Sequence, residues 1–345
     1  MNSLLDPAIL FFVFGIFAGL IRSNLEIPAQ IARFLSLYLL MALGLKGGFA
    51  LAHSGMNWDI ARSLGLAVAL ALIVPTLSYL VLRKLVSGFD AAALAATYGS
   101  VSAVTFITAT QYLEKHELSY GGHMSAAMAL MESPAIVFAV LLANTLRQAA
   151  PASINTLRQA APASIESAQA GAAPANTAPS GIGKIVHESL TDGAQLLLIG
   201  AMLVGILSGD TGKAAMQPFS GDLFKGMLAF FLLDMGLKTA RSLPELRDKS
   251  PLLLAWAVLA PVCHAALALG LAWLLKIPAG DAGLLMVLAA SASYIAVPAV
   301  LRYAVPEASP SLYFSLSLGL TFPINILFGI PFYLQTAQSV LGGAH

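Results

Sequence analysis

Apolar runs close to the length that crosses a bilayer, about 20 residues, follow one another along most of this 345-residue chain and leave it few folds to choose from. In lipid every backbone N–H and C=O must find a partner within the protein, so runs of this length read as helices. Composition agrees: 58% of the residues are hydrophobic, 10% are charged, and the mean hydropathy is +0.81. The chain reads as an all-α polytopic membrane protein in contact with lipid. Its N-terminus lacks a basic segment followed by a small-residue cleavage site, so Met1 is expected to be retained. A net charge of +1 does not point to nucleic acid as a partner. The lone Cys263 allows no intramolecular disulfide and is expected as a small core residue.

Divided at charged residues and at Pro or Gly, the runs number ten, near 8–22, 28–51, 61–85, 91–114, 121–146, 186–208, 218–240, 251–275, 281–304 and 310–335. The stretch 148–184 is rich in Ala, Pro, Ser, Gln and Gly, has little to bury, and reads as a flexible linker. It separates a first unit, 1–147, from a second, 185–345, with five runs in each. Across its start the segment NTLRQAAPASI, Asn144–Ile154, recurs unchanged as Asn155–Ile165. A tandem duplication, tolerated because loop length costs little free energy, accounts for it more simply than a docking motif in two copies. Most of the 18 Lys and Arg fall in loops that follow odd-numbered runs. The positive-inside rule then places the linker in the cytoplasm and both termini outside.

The two units align with one another. Leu43-Gly44-Leu45-Lys46 faces Met235-Gly236-Leu237-Lys238, and Asp90, Ser100, Ser102 and Tyr112 face Asp281, Ser291, Ser293 and Tyr303. Further on, Tyr120 faces Tyr313 and Glu132 faces Asn325. Single matches of Ser, Gly or Leu carry little weight, but these run in collinear order. A repeat with an odd number of spans inserts its second copy in the opposite sense. The fold expected is therefore ten transmembrane helices in two inverted five-helix repeats, an architecture of secondary transporters.

In the fourth run of each unit a serine pair interrupts the apolar sequence, at Gly99-Ser100-Val101-Ser102-Ala103 and at Ala290-Ser291-Ala292-Ser293-Tyr294. An unwound segment inside a membrane is tolerated only where protein buries it or where it lines a cavity. Gly99 permits unusual dihedrals, and the serine hydroxyls either satisfy freed backbone groups or face a ligand. The half-helices that resume after the breaks present free N–H groups and a positive dipole end, which suits an anion. Ser and Thr also serve as packing residues in membrane helices, but the symmetric pair, one followed by Thr105 and the other by Pro298, favours a site. Neither break carries Lys or Arg, so charge balance has to come from elsewhere.

Glu132, in Met131-Glu132-Ser133-Pro134, and Asn325, in Phe322-Pro323-Ile324-Asn325, lie inside spans, where a charge costs about 2.5–3.5 kcal/mol. With Ser102 and carbonyls freed near the breaks they would form an oxygen-rich nest for sodium. The other reading makes Glu132 a proton carrier, but Asn325 does not titrate. Asp234 and Lys238, one helical turn apart, are expected to pair near a membrane edge. His123 and His264 read as core histidines, and Trp58, Trp256 and Trp273 as interfacial anchors.

The segments at 288–302 (LAASASYIAVPAVLR), 306–313 (PEASPSLY) and 321–325 (TFPIN) closely resemble the cyanobacterial sodium-dependent bicarbonate transporters, the SbtA family. The motif from Gly99 to Thr105, the Glu132-Ser133-Pro134 element and the long linker match in the same order. The resemblance implies a sodium-coupled bicarbonate symporter of the bacterial inner membrane, with crossed broken helices in a core domain and a gate domain that forms a homotrimer. It also implies a PII-like regulatory partner on the cytoplasmic face. Carried over, Ser102 and Thr105 with Ser291, Ala292 and Ser293 would hold bicarbonate, and Glu132 and Asn325 would lie at the sodium site. The chain departs from the family pattern at Ser100, Val104 and Glu132, where the family has Ala, Ser and Asp. A symporter of another small anion, such as a monocarboxylate, and a non-transporting sensor that docks a PII-like protein are the alternatives. No nucleophile, base and orienting acid occur together near the breaks, so an enzyme is not expected.

Overall fold

The computed structural model describes residues 6–54, 58–149 and 193–342, and every regular element among them is helical. Beyond its first two positions, the expected linker at 148–184, with the second copy of its repeat, lies outside the described residues, as do the chain termini. Helices α1 (Pro7–Leu20), α2 (Ala29–Ser54), α3 (Trp58–Leu82), α4 (Gly88–Gly99), α5 (Ala103–Lys115) and α6 (Met124–Ala149) come from the first unit. The second supplies α7 (Gly193–Gln217), α8 (Leu223–Ser242), α9 (Pro251–Leu274), α10 (Ala279–Ala290), α11 (Ala296–Ala304) and a composite α12 (Pro310–Leu341). Within α12 the turns widen to π-helix over Ser315–Thr321 and Asn325–Gly329. Among the described residues, seven segments are long and apolar enough to cross a membrane, and α1 and α10 are shorter apolar helices. The protein is a multi-pass membrane protein.

Packing partners recur in matched pairs. Helix α1 lies along α8 and α2 along α7; α3 packs on α4 as α9 packs on α10; α6 covers α4 as α12 covers α10. The α2–α7 and α1–α8 contacts are close enough to need glycine. A Cβ at Gly48 would overlap the Met202 carbonyl, and one at Gly236 would overlap the Phe12 carbonyl. Small residues of this kind let membrane helices approach backbone to backbone, where dispersion rather than hydrophobicity holds them.

The broken segment Gly88–Lys115 is 94% buried across its apolar window, whereas α7 buries only Gln195, Leu198, Ala201 and Gly205, so the breaks lie inside the protein and α7 at its rim. Alanine makes this possible, because Ala91, Ala92, Ala93, Ala95 and Ala96 let neighbours close fully around α4. Two carboxylates at equivalent first-turn positions tie the halves together. Asp90 Oδ1 accepts from the Ser309 N–H at 2.8 Å, and Asp281 Oδ1 accepts from the Gly121 N–H at 2.6 Å.

Three expectations change. Cys263 sits on the outer surface of α9 rather than in the core, on a face presented to lipid. Trp256 is no interfacial anchor but packs edge-on against Tyr98 at 4.4 Å, whereas Trp58 and Trp273 are exposed near helix ends. Asp234 pairs with Lys238 at 2.6 Å as expected, yet its side chain is buried while the lysine reaches the surface.

Candidate anion and cation site

Gly99 closes α4 where a Cβ would run into the ring of Pro75 on α3, so the chain turns out of the helix at a point of close packing. Ser102 then caps α5: its Oγ accepts from the Thr105 N–H at 3.2 Å and from the Thr105 hydroxyl at 3.0 Å. In the second half the Ser293 Oγ accepts from Val297 N–H at 3.3 Å near the start of α11. The two breaks also bind each other. The Ser102 N–H donates to Ser291 Oγ at 3.0 Å, and the Ser293 N–H donates to the Thr97 carbonyl at 2.8 Å. Freed backbone groups of each half are thus satisfied by the other half.

A cavity of about 240 Å³ opens where the breaks cross. Val101, Ser102, Ala103 and Val104 line it from the start of α5, and Ser293, Tyr294, Ile295 and Ala296 from the start of α11. Two helix N-termini therefore share one cavity, which favours a negative group between them. Glu132 of α6 reaches the same cavity, and no Lys or Arg among the described residues lines it. A site with an ionisable carboxylate and two positive dipole ends takes an anion readily once a cation sits on the carboxylate.

The remaining expected residues stand behind the cavity wall. The Ser100 hydroxyl donates to the Glu132 carbonyl at 3.3 Å, and the Ser291 hydroxyl donates to the Leu288 carbonyl at 2.8 Å. Thr105 is buried with its hydroxyl on Ser102, and Ala292 is buried in apolar packing. Asn325, in the second π-helical stretch of α12, donates through Nδ2 to the Ala290 carbonyl at 2.8 Å and accepts from the Tyr333 hydroxyl at 3.3 Å. Its side chain terminates α10 where the main chain cannot. Wide π turns commonly occur at functional positions, and here one aims Asn325 at the break.

Residues that sequence patterns did not single out also face the cavity. Gln195 of α7 is buried there and its Oε1 accepts from the Ser133 hydroxyl at 3.2 Å, joining α7 to α6. Tyr294 also lines the cavity, with its hydroxyl buried beside Ser102 rather than open to the space. Tyr294 adjoins the second serine pair, a signal within reach of sequence reading. Gln195 carried none, because its role depends on how α7 docks.

Comparison with curated proteins finds no match. The family model of the Na+-dependent bicarbonate transporter superfamily matches residues 7–338, which include every residue of the cavity. The chain therefore belongs to the Na+-dependent bicarbonate transporter superfamily and is a membrane transporter, not an enzyme.

Proposed function

We propose that the protein is a sodium-coupled symporter that imports bicarbonate across the bacterial inner membrane by alternating access. The observation that carries this reading is the meeting of both resumed-helix N-termini and Glu132 in one cavity. Sodium binds at Glu132 and Ser102, with Asn325 positioned behind the second break. Neutralised locally, the site then takes bicarbonate between the α5 and α11 N-termini. Of the residues expected there, Val101, Ser102, Ala103 and Ser293 face the substrate, and Gly99, Ser100, Thr105, Ser291 and Ala292 hold the breaks in shape.

The transport reading includes ten spans in two inverted repeats, for which the matched packing pairs and the reciprocal hydrogen bonds are the support. In it α3–α6 and α9–α12 form a core, and α1, α2, α7 and α8 form a gate. A homotrimer built through the gate, cytoplasmic docking of a PII-like partner, a cytoplasmic linker and outward termini complete the proposal. A second reading, transport of a small monocarboxylate, draws on the many apolar side chains of the cavity, among them Val101, Ile136, Leu198 and Val300.

The test is uptake of radiolabelled inorganic carbon by proteoliposomes of the full chain. Uptake driven by an inward sodium gradient, and competed poorly by acetate, formate and pyruvate, is the expected result. Uptake indifferent to sodium overturns symport, and strong competition by one carboxylate transfers the function to the second reading.

A further inference from the structure

A second and larger cavity, of about 700 Å³, lies at the other end of the same helices. Ser36 and Leu40 of α2 line the Ser102 cavity, while Lys46, Phe49 and Ala50 of that helix line the second. The ten residues from Ser36 to Lys46 span about 15 Å of helix. Helix α5 runs likewise from Ala103 at one cavity to Glu114 at the other, and in α7 Gln195 and Lys213 lie on either side of a kink at Gly209.

The charged lining of this second cavity is Lys46, Lys213 and Lys225 against Glu114 and Asp222. Lys213 and Lys225 are exposed, so they raise the local concentration of anions at its mouth. Deeper in, Lys46 Nζ lies 3.1 and 3.2 Å from the two carboxylate oxygens of Glu114, bridging α2 to α5. The two partners of that bridge are unequally placed. Glu114 also accepts from Gln111 Nε2 at 2.8 Å and from the Tyr120 hydroxyl at 3.2 Å. Burial, with Glu114 beside it, raises the Tyr120 pKa, so the phenol remains a donor. Among the described residues Lys46 has in addition only the face of Phe224, 4.4 Å away. If an oxyanion takes the place of Glu114 on Lys46, the carboxylate keeps two donors and the ammonium keeps a full negative partner.

We propose that this cavity is a capture site for a small oxyanion, of the same class as the transported substrate, and that the anion exchanges with Glu114 on Lys46 and thereby releases α2 from α5. The inference rests on the reading of the chain as a transporter of a small anion. Capture and release are then one event: the ligand that has to reach the crossed helices first dissolves the ion pair that links the ends of the two helices.

The test uses the full chain in proteoliposomes, with Ala50→Cys introduced on a Cys263→Ala background and labelled by a membrane-impermeant maleimide. At fixed sodium and ionic strength, replacing chloride by bicarbonate or formate is expected to slow labelling several-fold. Combined Lys46→Gln, Lys213→Gln and Lys225→Gln substitutions should abolish that protection, and Lys46→Arg should retain it. Lys213→Gln with Lys225→Gln should raise the uptake KM by about tenfold at low salt with turnover unchanged, and by less as salt screens the field. Equal labelling in chloride and in oxyanion, or protection that survives loss of all three lysines, overturns the proposal. Protection by formate in a protein that imports no bicarbonate supports the capture site while overturning bicarbonate as the substrate.

Discussion

The Ser102 N–H and the Ser291 hydroxyl, 189 positions apart in the chain, meet at 3.0 Å in a buried hydrogen bond that joins the two broken helices. Ser291 Oγ accepts there and donates to the Leu288 carbonyl at 2.8 Å, so one hydroxyl serves both halves of the protein.

Removing that hydroxyl leaves the buried Ser102 N–H without its partner, while the Leu288 carbonyl keeps the Ser291 N–H. Ser291→Ala is expected to destabilise the protein by about 1–3 kcal/mol, while Ser291→Thr retains most of the stability. Thermal unfolding in detergent measures both; an unchanged Tm in the alanine variant would show that the hydroxyl bridges nothing of consequence.

Glu132 lines the cavity as its carboxylate. Glu132→Gln should remove the stabilisation that sodium confers on the purified protein and raise the sodium requirement of uptake at least tenfold, whereas Glu132→Asp should restore part of each. A glutamine variant that responds to sodium normally refutes the assignment.

Tyr294 lines the same cavity, but its hydroxyl is buried beside Ser102 and offers the space no accessible oxygen. Tyr294→Phe is therefore expected to leave both Tm and the substrate KM nearly unchanged. A KM that rises about tenfold with Tm preserved would show that the hydroxyl turns to the ligand.

Asn325 terminates α10 by donating to the Ala290 carbonyl. Asn325→Leu, of similar volume, leaves that carbonyl bare and should lower stability by about 1–3 kcal/mol. A sodium-induced rise in Tm that persists in this variant separates termination of the helix from ligation of the ion.

At Gly99 a Cβ meets the Pro75 ring. Gly99→Ala is expected to cost about 1–3 kcal/mol through overpacking, and Pro75→Gly in the same chain, which removes the Cβ that the new methyl meets first, should recover part of it. Strict additivity of the two substitutions would place the strain elsewhere.

The helices and the breaks were legible because their causes are local. Bilayer-length apolar runs demand helices, and a Gly-Ser-x-Ser segment inside such a run cannot continue one without partners for its hydroxyls. Sequence marked Glu132 and the serine pairs as a site for the same reason: polar atoms in lipid need a purpose. It did not separate Ser102 and Ser293, which face the cavity, from Ser100 and Ser291, which hold backbone. Both kinds of serine satisfy the same local rule.

What sequence by itself determined was the membrane setting, the collinear likeness of the two units and the positions where helices stop, since these depend on hydropathy, order and neighbouring residues. Tertiary structure alone decided that Asn325 points at the end of α10, that Gln195 and Tyr294 reach the cavity, and that Lys46 bridges to Glu114 at its far end. Each of those depends on the rotation and depth at which one helix docks on another, and that follows from the whole set of packed side chains rather than from any one segment.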